Sequence, residues 1–274
     1  MKSFLISNRG GLGDFIFTWP SILRLRKHYP ELCFKGLGRP DFMRLARSFG
    51  IIDSILDSES ALYLDFFGGE SLPESLQDVE AAALWLADPA GPVSLLGNSA
   101  RHPVINIRPF QKKPVKHMSE YYYEETLRMF NLEYEDIMNF YPMPEKDPDG
   151  RLACIHPGSG SSKKNLAPEF YLQLVGILAN EMDFDVKFIL GPAEIERGEE
   201  GFFSGFGCQR PENLAMLKDL LSGCSLFVGN DSGVSHLSGF MGVTTFAIYS
   251  TTDPAIWGVK GKNVINLITG RLAS

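Results

Sequence analysis

The chain has 274 residues, 44% hydrophobic and 22% charged, with a formal net charge of −7. That length supplies core for one large or two ordinary domains, and the acidic balance argues against a general nucleic-acid binder. No apolar run is long enough for a membrane span or, in "MKSFLISNRGG", for a signal peptide, so the cytoplasm is the expected compartment. Cys33, Cys154, Cys208 and Cys224 show no CxxC spacing, which indicates neither a zinc knuckle nor a disulfide framework.

In chain order, "SFLIS" reads as a strand, and "DFIFTWPSILRLRKHYP" as an amphipathic helix interrupted at Pro20. "CFKGLG", "IIDSIL" and "ALYLDFF" follow as strand candidates. "PESLQDVEAAALWLA" is expected to be a helix with Pro73 near its first turn. "PVINIRPF" predicts a strand and "SEYYYEETLRMFN" a helix. Residues 141–151, rich in Pro and charge without periodicity, read as a linker. The alternation then restarts. "LACIHPG", "FDVKFILG", "SLFVG" and "TTFAIYS" are expected strands, and "PEFYLQLVGILANEM" and "NLAMLKDLLSGC" expected helices. The pattern predicts an α/β chain of two Rossmann-like domains facing a cleft, residues 1–145 and 146–274.

In open parallel sheets ligands bind beyond the carboxyl ends of the strands, and that rule selects four loops. In "SNRGGLGDFIFTWP", Gly10, Gly11 and Gly13 permit close backbone approach and Asp14 stands at the helix start. Ile16 occupies the place where a dinucleotide fingerprint needs glycine, and a P-loop lysine is absent, so a tight turn with a capping Asp explains it equally well. "HPGSGSSKKNLAPEFY" gathers Ser159, Ser161, Ser162, Lys163 and Lys164 before a helix start, a set of donors suited to a diphosphate. "LGPAEIERGEE" places Glu194 where it could accept ribose hydroxyls or sit as a solvated helix-start residue. In "LFVGNDSGVSHLSGFMG", Gly229 is expected to end a buried strand. Asn230 or Asp231 should cap the next helix, whose N-terminus can hold an anion; "YSTTDPAIWG" completes this fourth region. Apart from these, "RHPVINIRPFQKKPVKH" carries Arg101, Arg108, Lys112, Lys113 and Lys116 and no acidic residue. It is either a solvated face or a dock for an anionic acceptor.

These loops, in this order, resemble glycosyltransferase family 9, the ADP-heptose:lipopolysaccharide heptosyltransferases. The segments that carry the resemblance are "RGGLGDFIFTWP", "HPGSGSSKKNLAPEFY" and "VGNDSGVSHLSGFMGVTTFAIYSTTDPAIWG", with "HMSEYYYEETLRMFNL" as the helix before the linker. The resemblance implies a GT-B fold and metal-independent, inverting transfer from a nucleotide-sugar donor, ADP-heptose, without a cofactor. The acceptor would be an anionic lipid-linked glycan at the cytoplasmic face of the inner membrane, with no nucleic-acid partner. By the same resemblance Asp14 is the base, and Lys164, next to Lys163, meets the donor phosphates. Glu194 takes the ribose, and Asp231, Ser232, Gly233 and His236 form the turn that holds the diphosphate. Gly11 and Gly13, with Arg101, Arg108, Lys112 and Lys113, are the acceptor-side candidates. A sugar-nucleotide epimerase and a nucleotide-sugar-binding protein without transfer activity remain alternatives.

Overall fold

The computed structural model describes residues 2–109, 114–143 and 150–269. The chain divides into two compact units, Met1–Phe140 and Tyr141–Ser274. Each is a parallel α/β sheet, as the alternation predicts. Among the described residues no helix is long and apolar enough to cross a membrane.

The first unit runs β1 (Ser3–Asn8), α1 (Leu12–His28), β2 (Cys33–Gly38), α2 (Pro40–Ser48), β3 (Ser54–Asp57) and α3 (Leu64–Gly68). It continues with β4 (Val79–Trp85), α4 (Ala90–Gly97), β5 (Val104–Asn106) and α5 (Met118–Met129). The strand order is β3-β2-β1-β4-β5, with every pairing parallel. The order reverses between β1 and β4, so the crevice of this unit lies at the carboxyl ends of those two strands. Both faces of β1 are covered, and all six of its residues are buried.

Three local expectations fail in this unit. Helix α1 passes through Pro20 without a break. The ring removes one N–H and crowds the carbonyl of Ile16, but neighbouring carbonyls find other donors. Thr18 Oγ1 donates to the Phe15 carbonyl at 2.7 Å, and Ser119 Oγ of α5 to the Phe17 carbonyl at 3.1 Å. Residues 61–67, expected as a strand, form a 3-10 turn leading into α3. Tyr63 and Phe66 are buried while Leu62 and Leu64 are exposed, so burial follows a three-residue step and not an alternation. Most consequential is "EAAALW", expected within a helix and found as the central strand β4. Its alanines favour helix only weakly, and packing between β1 and β5 buries Ala81 to Trp85 on both faces.

The second unit runs β6 (Leu152–His156), α6 (Pro168–Gly176), β7 (Asp185–Ile189), α7 (Pro192–Glu196), β8 (Gly207–Gln209) and α8 (Leu214–Ser222). It ends with β9 (Leu226–Asn230), α9 (Gly233–Phe240), β10 (Thr244–Tyr249), α10 (Pro254–Trp257) and β11 (Val264–Ile268). The order is β11-β10-β9-β6-β7-β8, again all parallel. Its core joins Ala153, Ile155, Phe188 and Val228 to Tyr171, Val175 and Phe203. The order reverses between β6 and β9. That reversal sets the loop after β6 beside the loop after β9, which is the pair of segments richest in polar donors.

Candidate functional site

The strand β9 continues through Gly229 to Asn230, one residue beyond the expected end. Neither Asn230 nor Asp231 caps the following helix; Ser232 does, its Oγ accepting from Ser235 N at 3.3 Å. The reason is that both other side chains are engaged elsewhere. Asn230 is fully buried, with Nδ2 donating to the Pro157 carbonyl and Oδ1 accepting from Tyr171 Oη, each at 2.5 Å. It thereby stitches the loop after β6 to the switch point.

Asp231 is the hub of the site. Its Oδ2 accepts from Lys164 Nζ at 2.7 Å and from Thr252 Oγ1 at 2.6 Å, and its Oδ1 lies 3.9 Å from His236 Nε2. Asp231 and His236 are buried, 7% and 5% exposed, while the Lys164 side chain keeps about a third of its surface. Lys164 closes a short 3-10 turn, Ser162–Lys164, and its carbonyl accepts from Ser250 Oγ at 3.2 Å. Burial of Tyr249, with the charge of Asp231 close by, holds its phenol well above the ordinary tyrosine range. The ammonium of Lys164 and the first-turn N–H groups of α9 thus lie at one end of the sheet.

The other loop residues are arranged less openly. The Ser159 hydroxyl is buried, 2.7 Å from the Ser161 carbonyl and 2.6 Å from Asn165 Oδ1, so it closes the loop on itself. Ser161 is half-buried, and Ser162 and Lys163 are exposed. Glu194 is only 2% exposed; its Oε2 accepts from Gly191 N at 2.8 Å, and Arg197 lies 3.9 Å from Oε1. It is therefore not the solvated helix-start residue that its sequence position also allowed. Gly158 lies directly against it: a Cβ there would come within 2.0 Å of Glu194 Oε1. Gly158→Ala is expected to cost about 1–3 kcal/mol, because the carboxylate is capped and enclosed and must shift. Urea unfolding measures this, and unchanged stability would refute such close packing.

In the first unit Asp14 is the third residue of α1, its Oδ2 accepting from Gly11 N at 3.0 Å. Gly11 is the N-cap residue and Gly13 lies in the first turn. Tyr122 of α5 is close enough that burial, together with the charge of Asp14, raises its phenol pKa; its Oη donates to the Pro109 carbonyl at 2.6 Å. The basic stretch is divided by β5 and does not form one surface. Arg101 precedes the strand, at the amino end of the sheet, where its Nε lies 3.6 Å from Glu80 Oε1. Arg108 follows the strand and is exposed at the carboxyl end. Lys116 pairs with Glu124. Lys112 and Lys113 lie outside the described residues.

Residues 211–273 match the model of glycosyltransferase family 9 (heptosyltransferase). The match takes in the last of the three segments that carry the resemblance, "VGNDSGVSHLSGFMGVTTFAIYSTTDPAIWG". The fold is also that of solved GT-B heptosyltransferases. The E. coli heptosyltransferase WaaC, solved with ADP, superimposes with a TM-score of 0.75 at 19% identity, covering 98% of this chain and 93% of that one. A glycosyl transferase family 9 protein from Veillonella parvula gives 0.76 at 18% identity, covering 100% and 88%. E. coli ADP-heptose lps heptosyltransferase II gives 0.70 at 16% identity, covering 98% and 92%. No curated protein matches the chain by sequence. Together the family 9 match and the heptosyltransferase-like fold indicate a glycosyltransferase.

The family 9 segment runs from just before α8 to beyond β11 and so contains Asp231, Ser232, Gly233 and His236; Asp14, Lys164 and Glu194 lie outside it. It also contains two polar side chains absent from the sequence-derived set of site residues, Ser250 and Thr252. The signal was present in "YSTTDP": hydroxyl residues between a buried strand and an Asp-Pro helix start, with Asp253 capping α10. What was missing was the knowledge that this loop folds back onto Lys164.

Proposed function

We propose that the chain is an inverting glycosyltransferase that moves a heptose-like sugar from a nucleoside diphosphate donor, ADP-heptose, to an anionic glycan acceptor of the lipopolysaccharide-core class. The observation that carries the donor half is the ammonium of Lys164 fixed beside the N-terminus of α9 at the switch point of the second sheet. As the sugar leaves, negative charge grows on the diphosphate. A preformed cation and oriented N–H groups stabilise that charge without reorganising. The WaaC structures with ADP and with ADP-2-deoxy-2-fluoro heptose support a donor of this kind. In the first unit Asp14 would accept the proton of the attacking hydroxyl as general base. A cytoplasmic enzyme meeting a lipid-linked acceptor at the inner membrane surface fits this reading.

Calorimetry with ADP, followed by a transfer assay on acceptors of this class, tests the proposal. Turnover of ADP-heptose without an acceptor would favour an epimerase, and binding without any turnover a sugar-nucleotide receptor.

On the acceptor side the divided basic stretch makes a specific prediction. Arg108 stands at the same sheet end as Asp14, whereas Arg101 stands at the opposite end against Glu80. Arg108→Glu is expected to raise the acceptor KM, leave donor affinity unchanged and weaken the dependence of rate on salt, since a screened attraction has been removed. Arg101→Glu should change none of these. Steady-state kinetics at two ionic strengths distinguishes them, and equal effects of the two substitutions would refute the assignment.

A further inference from the structure

The loop that follows β10 grips Lys164 at two points. Ser250 Oγ donates to its backbone carbonyl at 3.2 Å, and Thr252 Oγ1 donates at 2.6 Å to the carboxylate oxygen that holds its ammonium. This loop is itself fixed on both sides. Before it, Tyr249 is buried and its Oη accepts from Val259 N at 2.8 Å; after it, Asp253 caps α10 by accepting from Ala255 N at 2.9 Å. The carboxylate of Asp231 therefore has one oxygen shared between a hydroxyl and an ammonium. A carboxylate with only one strong partner can rotate about its last torsion, a soft twofold motion, and carry that partner with it. A second short bond to the same oxygen removes the freedom.

We infer that Thr252 is a positioning residue for the donor diphosphate: by fixing the Asp231 carboxylate it sets where the Lys164 ammonium stands before the donor arrives. The inference rests on the donor-site reading given above. It makes three linked demands. Thr252→Val, which keeps the shape and removes the hydroxyl, weakens ADP binding about tenfold, the scale of one hydrogen bond to a charged group. Thr252→Ser restores it. Adenosine, which carries no phosphate, binds Thr252→Val and the native protein alike.

A merely structural threonine would weaken both ligands, so the adenosine arm separates the two roles. The decisive measurement is a double-mutant cycle read by calorimetry. If Thr252 acts through Lys164, then in a Lys164→Ala background Thr252→Val costs far less ADP affinity than it does in the native protein. Additive losses would overturn the inference, as would unchanged affinity in the single variant or failure of Ser to rescue. A second readout needs no nucleotide: the rate at which an amine-reactive reagent labels Lys164, mapped by peptide mass spectrometry. Loss of the Thr252 bond in Thr252→Val lets the Asp231 carboxylate turn and take the ammonium with it, which changes the labelling rate several-fold (roughly the scale of one lost bond), and an unchanged rate counts against the inference. If the native protein binds no ADP, the donor reading fails, and the labelling rate still decides whether Thr252 positions Lys164.

Discussion

Asp14→Asn is expected to lower turnover by at least about a hundredfold, with melting temperature and nucleotide affinity close to native. The two roles open to this residue make different demands. As the third residue of α1, Asp14 accepts a hydrogen bond from Gly11 N, and its charge lies at the positive end of the helix. An asparagine oxygen can accept the same bond. The loss of charge then costs about 0.3–1 kcal/mol, so a purely structural Asp14 predicts a mild variant. A general base is different in kind, because an amide does not take the proton from an attacking hydroxyl. Loss of base catalysis is typically worth about 10²–10⁴ in rate. Transfer kinetics beside a thermal melt separate the cases. Turnover within a few-fold of native would leave Asp14 as a helix-start residue and send the search for a base elsewhere along the carboxyl ends of β1–β5.

Two parallel sheets were legible because alternating apolar runs and helical patterns demand that arrangement, and the loops at strand ends were legible because their Gly, Ser and Lys content is unlike ordinary turns. The errors fell where local propensity and tertiary burial disagree. The alanines of "EAAALW" favour helix in isolation, and only the neighbours β1 and β5 make that run a strand. Pro20 reads as a break, yet Thr18 supplies one donor nearby and Ser119, 99 positions away in sequence, supplies another that no local window contains. At the candidate site the same limit appears at finer scale. Which of Asn230, Asp231 and Ser232 caps α9 depends on what else each can reach. Asn230 reaches Pro157 and Tyr171, Asp231 reaches Lys164 and Thr252, and Ser232 is left to cap. The basic stretch shows a related limit: nothing in the sequence tells that a strand carries Arg101 and Arg108 to opposite ends of the sheet.

The pairing of Lys164 with Asp231 sharpens the last expectation. Lys164→Ala should weaken ADP binding by about 1–3 kcal/mol, the cost of a lost charge-assisted bond, and the loss should fall in the upper part of that range. The ammonium does two things at once. It attracts the diphosphate, and it neutralises a carboxylate that is 7% exposed and stands beside the same N-terminus. Without it, Asp231 keeps only the Thr252 hydroxyl as a short partner on that oxygen, and its uncompensated charge repels an incoming anion. The same loss should lower stability, because a mostly buried carboxylate has lost its cation. These two effects can be separated by a second substitution. Asp231→Asn in the Lys164→Ala background removes the stranded charge and should recover most of the melting temperature. Affinity should recover only in part, because the attractive cation is still missing. Calorimetry and thermal denaturation of the single and double variants measure both. ADP affinity unchanged in Lys164→Ala would remove Lys164 from the donor site, and full recovery of affinity in the double variant would mean that Lys164 serves Asp231 and not the diphosphate.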